Sequence, residues 1–163
     1  MHITLSEGGA VATKGKDIYS DRTAASKAVM RAGHYYVQFT VMSGCMLFGV
    51  IRPGWDVEGG RDAWSVDGHC FYATDSGSRF PGIHDWEGMQ HAKEQGDRIG
   101  MLLDLDQGSM TVYKNDERLG VMATGLSGEY SWAVALYKYG NSARIEATAT
   151  PASATVEELA PVR

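Results

Sequence analysis

Two histidines and a glutamate in the second half of the chain have a spacing that could bind a metal. His84, Glu87 and His91 lie at positions i, i+3 and i+7, which would place three zinc ligands on one face of a helix. Pro81 and Gly88, however, disfavour a stable helix in this stretch. We therefore expect the histidines to be incidental residues of a loop. A zinc-dependent hydrolase is the third hypothesis for this chain, and stoichiometric zinc binding would support it.

A pair of carboxylates is the second candidate for chemistry. Asp104 and Asp106 lie on the same face of a predicted strand, where two carboxylates could act on a glycosidic bond. With Gly108 they also match the start of a calcium-binding loop, but Asn115 stands at the twelfth position, where that loop requires Glu. No aromatic platform for a sugar surrounds the pair. The sequence therefore favours a solvated hairpin turn.

A cysteine adjoins a histidine at one place in the sequence. His69 precedes Cys70, but neighbouring residues of a strand point to opposite faces, so this adjacency does not pair a nucleophile with a base. The chain has two cysteines, too few for a disulfide framework, so we expect a reducing, intracellular setting, namely the cytoplasm. We predict that the protein is not an enzyme and needs no cofactor.

The charge of the chain bears on the partners that it could bind. A formal net charge of −5 disfavours nucleic acid, which requires a clustered basic surface. Residues 52–100 carry nine acidic and five basic side chains, so this part could attract a basic partner, although charged loops serve mainly solubility. No apolar run approaches the roughly 20 residues that cross a bilayer, so we expect no membrane association.

The alternation of apolar and polar residues predicts a protein made of short strands. Residues 35–42 alternate with a period of two, and residues 46–52 are apolar on both faces, as in a central strand. Gly49 within the second stretch predicts a close backbone approach or a β-bulge. Further strands are predicted at residues 2–5, 10–13, 63–74, 131–139 and 141–147. Residues 14–27 are expected to form a surface connection.

Residues 96–120 predict an antiparallel meander of three strands. Residues 99–105 alternate, and the polar turn after them reverses the chain. Asn115 and Asp116 tolerate the positive φ angles of a second, tighter hairpin. Many short strands without a long helix predict an all-β sandwich as one domain, residues 1–147. The tail, residues 148–163, is rich in Ala, Thr, Pro and Ser and is expected to be a flexible tether.

Aromatic residues outside the predicted core are the candidates for a binding surface. Trp55 lies in a loop, next to Arg52, where no periodicity requires burial. Tyr137 and Tyr139 end a predicted strand whose same face carries small alanines. Trp, Tyr and Arg dominate the hot spots of protein interfaces. The alternative is that these rings only cover the edge of the core.

The motifs of the chain resemble those of the SPRY (B30.2-like) domain family. They are Gly33-x-Tyr35-Tyr36-x-x-Phe39, Phe48-Gly49-Val50, the segment 96–120, and Leu126-Ser127-Gly128 followed by Trp132-Ala133-Val134. The resemblance extends over about residues 30–147. It implies a bent sandwich of two antiparallel sheets without catalytic activity. It also implies a protein-interaction module, in which loops at one rim form a preformed pocket for a short peptide or a partner surface.

The resemblance also implies where the site lies. The family's pocket corresponds to residues 52–62, Trp64 and residues 137–140. We predict as partner-binding residues Arg52, Trp55, Asp56, Trp64, Tyr137, Lys138 and Tyr139. The expected partner is another protein or a short basic peptide, bound by a monomer. We expect neither the family's PRY element nor its ubiquitin-ligase companion domains in this chain.

The second function that the sequence leaves open is a carbohydrate-binding, lectin-like sandwich. Lectin sandwiches share the predicted architecture and bind sugars with aromatic and carboxylate side chains. Glycan binding at Trp55 and Asp56 would support this alternative.

Overall fold

The protein is a sandwich of short strands. The computed structural model describes residues 3–16, 22–59, 61–82 and 84–148. The strands are β1 (Ile3–Ser6), β2 (Val11–Lys14), β3 (Arg22–Ala25), β4 (His34–Ser43), β5 (Met46–Ile51), β6 (Cys70–Ala73), β7 (Arg79–Phe80), β8 (Arg98–Asp104), β9 (Ser109–Lys114), β10 (Glu117–Ala123), β11 (Ser131–Leu136) and β12 (Ser142–Ala147). Short 3₁₀ helices lie at Glu7–Gly9 and Ala63–Ser65. In the described part of the chain, no helix has the length and apolar character needed to span a membrane.

The strands form two antiparallel sheets. The larger sheet has seven strands in the order β1-β2-β12-β4-β8-β9-β10, and the smaller has five in the order β3-β11-β5-β6-β7. β5 occupies the centre of the smaller sheet, in agreement with its apolar residues on both faces. The all-β sandwich of two antiparallel sheets predicted from the sequence is confirmed.

The main core lies between the two sheets and is formed by inward-facing residues of both. The ring of Phe39 in the larger sheet stacks on that of Phe48 in the smaller sheet, with centroids 4.6 Å apart. Trp132 meets Phe39 edge to face at 6.1 Å. Burying a large apolar side chain contributes about 1.5–3 kcal/mol, so these contacts hold the sheets face to face.

Two local predictions are confirmed in detail. Asn115 and Asp116 have φ angles of 50° and 73° in the tight turn between β9 and β10. A Cβ added to Gly49 would lie 2.0 Å from the backbone carbonyl oxygen of Cys70 on the neighbouring strand. The backbones of β5 and β6 therefore approach too closely at this point for any side chain.

Three boundaries differ from the sequence prediction. The expected surface connection at residues 14–27 contains β3, which pairs with β11. The predicted strand at residues 63–74 is a strand only at β6, and its first residues form a 3₁₀ helix. The strand predicted at residues 131–139 ends at Leu136, so Tyr137 and Tyr139 lie after it. The predicted tail, beyond residue 148, lies outside the described residues.

Candidate functional site

A second apolar cluster covers the outer face of the smaller sheet. Alternate residues of β5, β6 and β11 point away from the main core: Leu47, Ile51, Phe71, Ala73, Ala133 and Ala135. Ala63 and five partly buried side chains pack on them, namely Trp55, Val57, Trp64, Phe80 and Tyr137. We call this set the outer cluster. It forms because β5 and β11 place their small or aliphatic residues on one face, which the loop after β5 then covers.

The outer cluster brings together three of the predicted site residues. Trp55 arrives from the loop after β5, Trp64 from the 3₁₀ helix, and Tyr137 from the residue that follows β11. The Trp64 ring meets Phe80 edge to face at 5.6 Å. All three predicted residues are partly exposed. They therefore cover the sheet and also present an aromatic surface to solvent. A role as a cover for the core and a role as a binding surface are thus compatible for these rings.

Arg52 braces the neighbouring loop. Its Nη1 donates hydrogen bonds to the carbonyl oxygens of Ser127 at 2.7 Å and Glu129 at 3.0 Å. Its guanidinium lies 4.3 Å from the centroid of the Tyr130 ring. A Cβ on Gly128 would come within 2.9 Å of Arg52 Nη1. Arg52 therefore connects the end of β5 to the segment before β11 and holds these two segments together beside the outer cluster.

The remaining predicted site residues do not belong to the outer cluster. Asp56 is exposed, and its Oδ1 accepts a hydrogen bond from the backbone N–H of Glu58 at 3.0 Å. Lys138 is exposed, and its backbone N–H donates to Oδ1 of Asn141 at 2.9 Å. Tyr139 is 73% exposed. These three residues are exposed and lie on the loops that carry Trp55 and Tyr137.

His69 supports the site and was not predicted from the sequence. It is buried, and its Nδ1 lies 2.9 Å from the carbonyl oxygen of Ala63, to which a neutral imidazole donates its proton. Burial lowers the pKa of His69, the hydrogen bond to Ala63 opposes this, and the positive charges of Arg52 and Arg61 lower the pKa further. The imidazole is therefore uncharged at neutral pH and holds the 3₁₀ helix that carries Trp64.

One group of side chains in the described residues has the spacing of metal ligands. It consists of His34, Asp104 and Asp106. His34 Nε2 lies 3.1 Å from Asp104 Oδ1 and 3.7 Å from Asp106 Oδ2. Asp104 Oδ1 also accepts hydrogen bonds from the backbone N–H groups of Asp106 and Gln107, at 2.9 and 3.0 Å. These hydrogen bonds stabilise the turn between β8 and β9. The carboxylate of Asp104 therefore has a structural role in this turn.

His84, Glu87 and His91 form no such group in the part of the chain that the structure describes. All three side chains are exposed. His84 instead lies beside Phe80, with ring centroids 4.5 Å apart. The helix that their spacing would require is not formed, because residues 84–91 have no helical structure. The spacing of these residues is therefore not realised as a metal-binding arrangement.

The fold and the outer cluster together define a class of protein. The model of the SPRY domain family matches residues 34–150 of the chain. The chain therefore belongs to the SPRY domain family, as its motifs predicted, and SPRY domains are in general non-catalytic protein-interaction modules. No curated protein matches the chain.

Solved SPRY domains share the fold at low sequence identity. The SPRY domain of human HERC1 has a TM-score of 0.76 at 18% identity, covering 91% of this chain and 94% of that chain. A human SPRY domain has a TM-score of 0.69 at 19% identity, with 91% and 97% covered. The TRIM65 PSpry domain has a TM-score of 0.67 at 16% identity, with 90% and 86% covered. These similarities show the architecture.

Proposed function

We propose that this protein is a non-catalytic module that binds a short peptide or a partner surface through the outer cluster and the loops beside it. The observation that carries the proposal is the convergence of Trp55, Trp64 and Tyr137 on one sheet face, each partly exposed. Large aromatic side chains of this kind are the usual anchors of protein interfaces. A ligand with an apolar side chain would pack among the three rings.

The loops that form this surface are held in place before any partner arrives. Arg52 ties the start of one loop to the carbonyl groups of Ser127 and Glu129. His69 holds the 3₁₀ helix through the carbonyl of Ala63. A preformed surface loses little conformational entropy on binding, which favours recognition of short segments.

The charges beside the aromatic surface favour a ligand with Lys or Arg. Asp56 and Glu58, which flank Val57 of the outer cluster, are exposed on the loop that carries Trp55. Complementary charge raises the rate of encounter more than the final affinity. We therefore propose a ligand with an apolar anchor and a neighbouring basic residue, bound by a monomer of this chain. The two cysteines are both free, which supports action in a reducing compartment.

The test is a random peptide display screen against the purified protein. Hits would then be mapped by amide chemical-shift changes in the full chain. We expect a consensus motif with shifts concentrated at residues 52–69 and 137. Shifts confined to another face would refute the proposed location. If the screen gave no enrichment, a glycan array would come next. A glycan that bound and changed the amide shifts at Trp55 and Asp56 would establish the carbohydrate-binding alternative.

A further inference from the structure

A buried imidazole nitrogen among the rings of the outer cluster has no hydrogen-bond partner in the described part of the chain. His69 is 4% exposed, and its ring meets that of Trp55 edge to face at 5.3 Å and that of Phe71 at 6.5 Å between centroids. Its Nδ1 is paired with the carbonyl oxygen of Ala63, but its Nε2 is buried and unpaired. A buried polar atom without a partner costs free energy, so this nitrogen marks a place where a donor group would be bound.

The partner of Nδ1 determines what Nε2 can do. A carbonyl oxygen only accepts hydrogen bonds, so Nδ1 carries the proton of the neutral imidazole and Nε2 keeps a free lone pair. The positive charges of Arg52 and Arg61 act on the same ring. They disfavour a further cation at Nε2, such as the ammonium group of a lysine. Nε2 is therefore an acceptor for a neutral N–H or O–H group.

The surroundings of Nε2 restrict the kind of donor. The rings of Trp55 and Phe71 pack against His69, and Nδ1 is bonded to the 3₁₀ helix that carries Trp64. A ligand side chain that fits among these rings needs a large apolar body, whereas Nε2 requires a polar tip. Tyrosine and tryptophan each combine an aromatic body with one neutral donor. They are the side chains that match both requirements.

We propose that the outer cluster binds a tyrosine or tryptophan side chain of its partner, whose O–H or N–H group donates a hydrogen bond to Nε2 of His69 once the ring of Trp55 has turned aside. This inference rests on the function proposed above and specifies the anchor of the ligand. Trp55 is partly exposed in its loop, and side-chain rotamer changes are common when interfaces form. A site that binds a hydroxyl group rejects the analogue without it, because its own polar atom is then left unpaired. His69 therefore makes the site prefer tyrosine to phenylalanine.

The test compares p-cresol, the side-chain analogue of tyrosine, with toluene, which lacks the hydroxyl group. NMR follows the amide resonances of the full chain and the imidazole nitrogen resonances as each probe is added. We expect p-cresol to bind roughly tenfold more tightly than toluene, with amide shifts at Trp55 and Trp64. The Nε2 resonance of His69 should move upfield with p-cresol alone, because only p-cresol can donate a hydrogen bond to it.

Two variants separate the role of Nε2 from that of the fold. His69→Asn removes Nε2 but places an amide N–H near the position of Nδ1, where it can still donate to Ala63. This variant should bind both probes alike. His91→Asn, at an exposed position outside the outer cluster, is the matched control and should keep the preference for p-cresol. If His69→Asn did not fold, the Nε2 resonance of the wild type would still decide the question.

Equal affinities of the wild type for p-cresol and toluene would overturn the inference, as would an Nε2 resonance that p-cresol does not move or a failure of both probes to bind at the outer cluster. The peptide screen separates this failure from that of the proposed function. Enriched peptides that shift residues 52–69 but contain neither tyrosine nor tryptophan would refute only the role of His69. Peptides that shift another face of the protein would refute the proposed function itself.

Discussion

The guanidinium of Arg52 lies over the ring of Tyr130, with Cζ 4.3 Å from the ring centroid. The same guanidinium donates two hydrogen bonds to carbonyl oxygens of the segment that leads to β11. A planar guanidinium can stack on a ring and donate hydrogen bonds in its plane, whereas an ammonium group acts as a point charge. The geometry at this position therefore requires arginine specifically.

Replacing Arg52 by lysine should weaken the fold. Arg52→Lys loses the stacking on Tyr130 and at least one hydrogen bond, so we expect the free energy of unfolding to fall by about 1 kcal/mol. Urea denaturation measures this change. The control is Arg61→Lys at an exposed position of the same loop, which should stay within about 0.5 kcal/mol of the wild type. Equal losses in the two variants would contradict the bracing role of Arg52.

The aromatic surface predicts an order of importance among the candidate binding residues. Once a peptide has been selected, Trp64→Ala, Trp55→Ala and Tyr137→Ala should each weaken its binding by more than about 1 kcal/mol. Tyr139→Ala, outside the outer cluster, should change binding by less than about 0.5 kcal/mol. Isothermal titration calorimetry measures the affinities, after a denaturation curve has shown that each variant is folded. A larger loss in Tyr139→Ala than in Trp64→Ala would refute the assignment.

The close approach of β5 and β6 predicts a severe effect at Gly49. A methyl group there would meet the carbonyl oxygen of Cys70 at 2.0 Å, and backbone atoms cannot avoid it by changing rotamer. We expect Gly49→Ala to lower the free energy of unfolding by more than about 3 kcal/mol. Gly140→Ala is the matched control, because Gly140 has a φ of +88° but nothing within 4 Å of the added Cβ. Its cost should be about 1 kcal/mol of backbone strain; similar costs at both positions would be inconsistent with a clash.

The buried imidazole of His69 predicts a pH dependence of stability. Because burial lowers the pKa of His69, the unfolded chain takes up a proton near pH 6.5 that the folded chain does not. The free energy of unfolding should therefore fall as the pH decreases from about 7 to about 5. His69→Phe should reduce this dependence. Urea denaturation of both proteins at the two pH values gives the comparison, and equal slopes would show that His69 does not cause it.

Sequence periodicity predicted the fold because most strands have one buried face. The alternation in β4 and β8 and the turn at Asn115 and Asp116 are local signals, and the structure has them where they were expected. β3 has no such signal. Its four residues, Arg-Thr-Ala-Ala, become a strand only by pairing with β11, more than a hundred residues later in the chain.

The site was predictable only in part, because only some of its residues stand out in the sequence. Trp55, Trp64 and Tyr137 could be selected by residue type and by the family resemblance, and they do converge. Phe80 could not be found in this way, because it lies in the two-residue strand β7 and reaches the cluster by pairing with Phe71. His69 gave no signal either, since its role depends on the carbonyl of Ala63 in a 3₁₀ helix that the sequence predicted as a strand.

The position of β12 between β2 and β4 has a consequence for synthesis of the protein on the ribosome. β2 has only β1 as a partner until residues 142–147 have left the exit tunnel, and an isolated two-stranded hairpin is marginal in water. β1 and β2 must therefore wait for β12 before the larger sheet can close. During this interval β2 keeps an unpaired edge, which chaperones that recognise unpaired strands could bind.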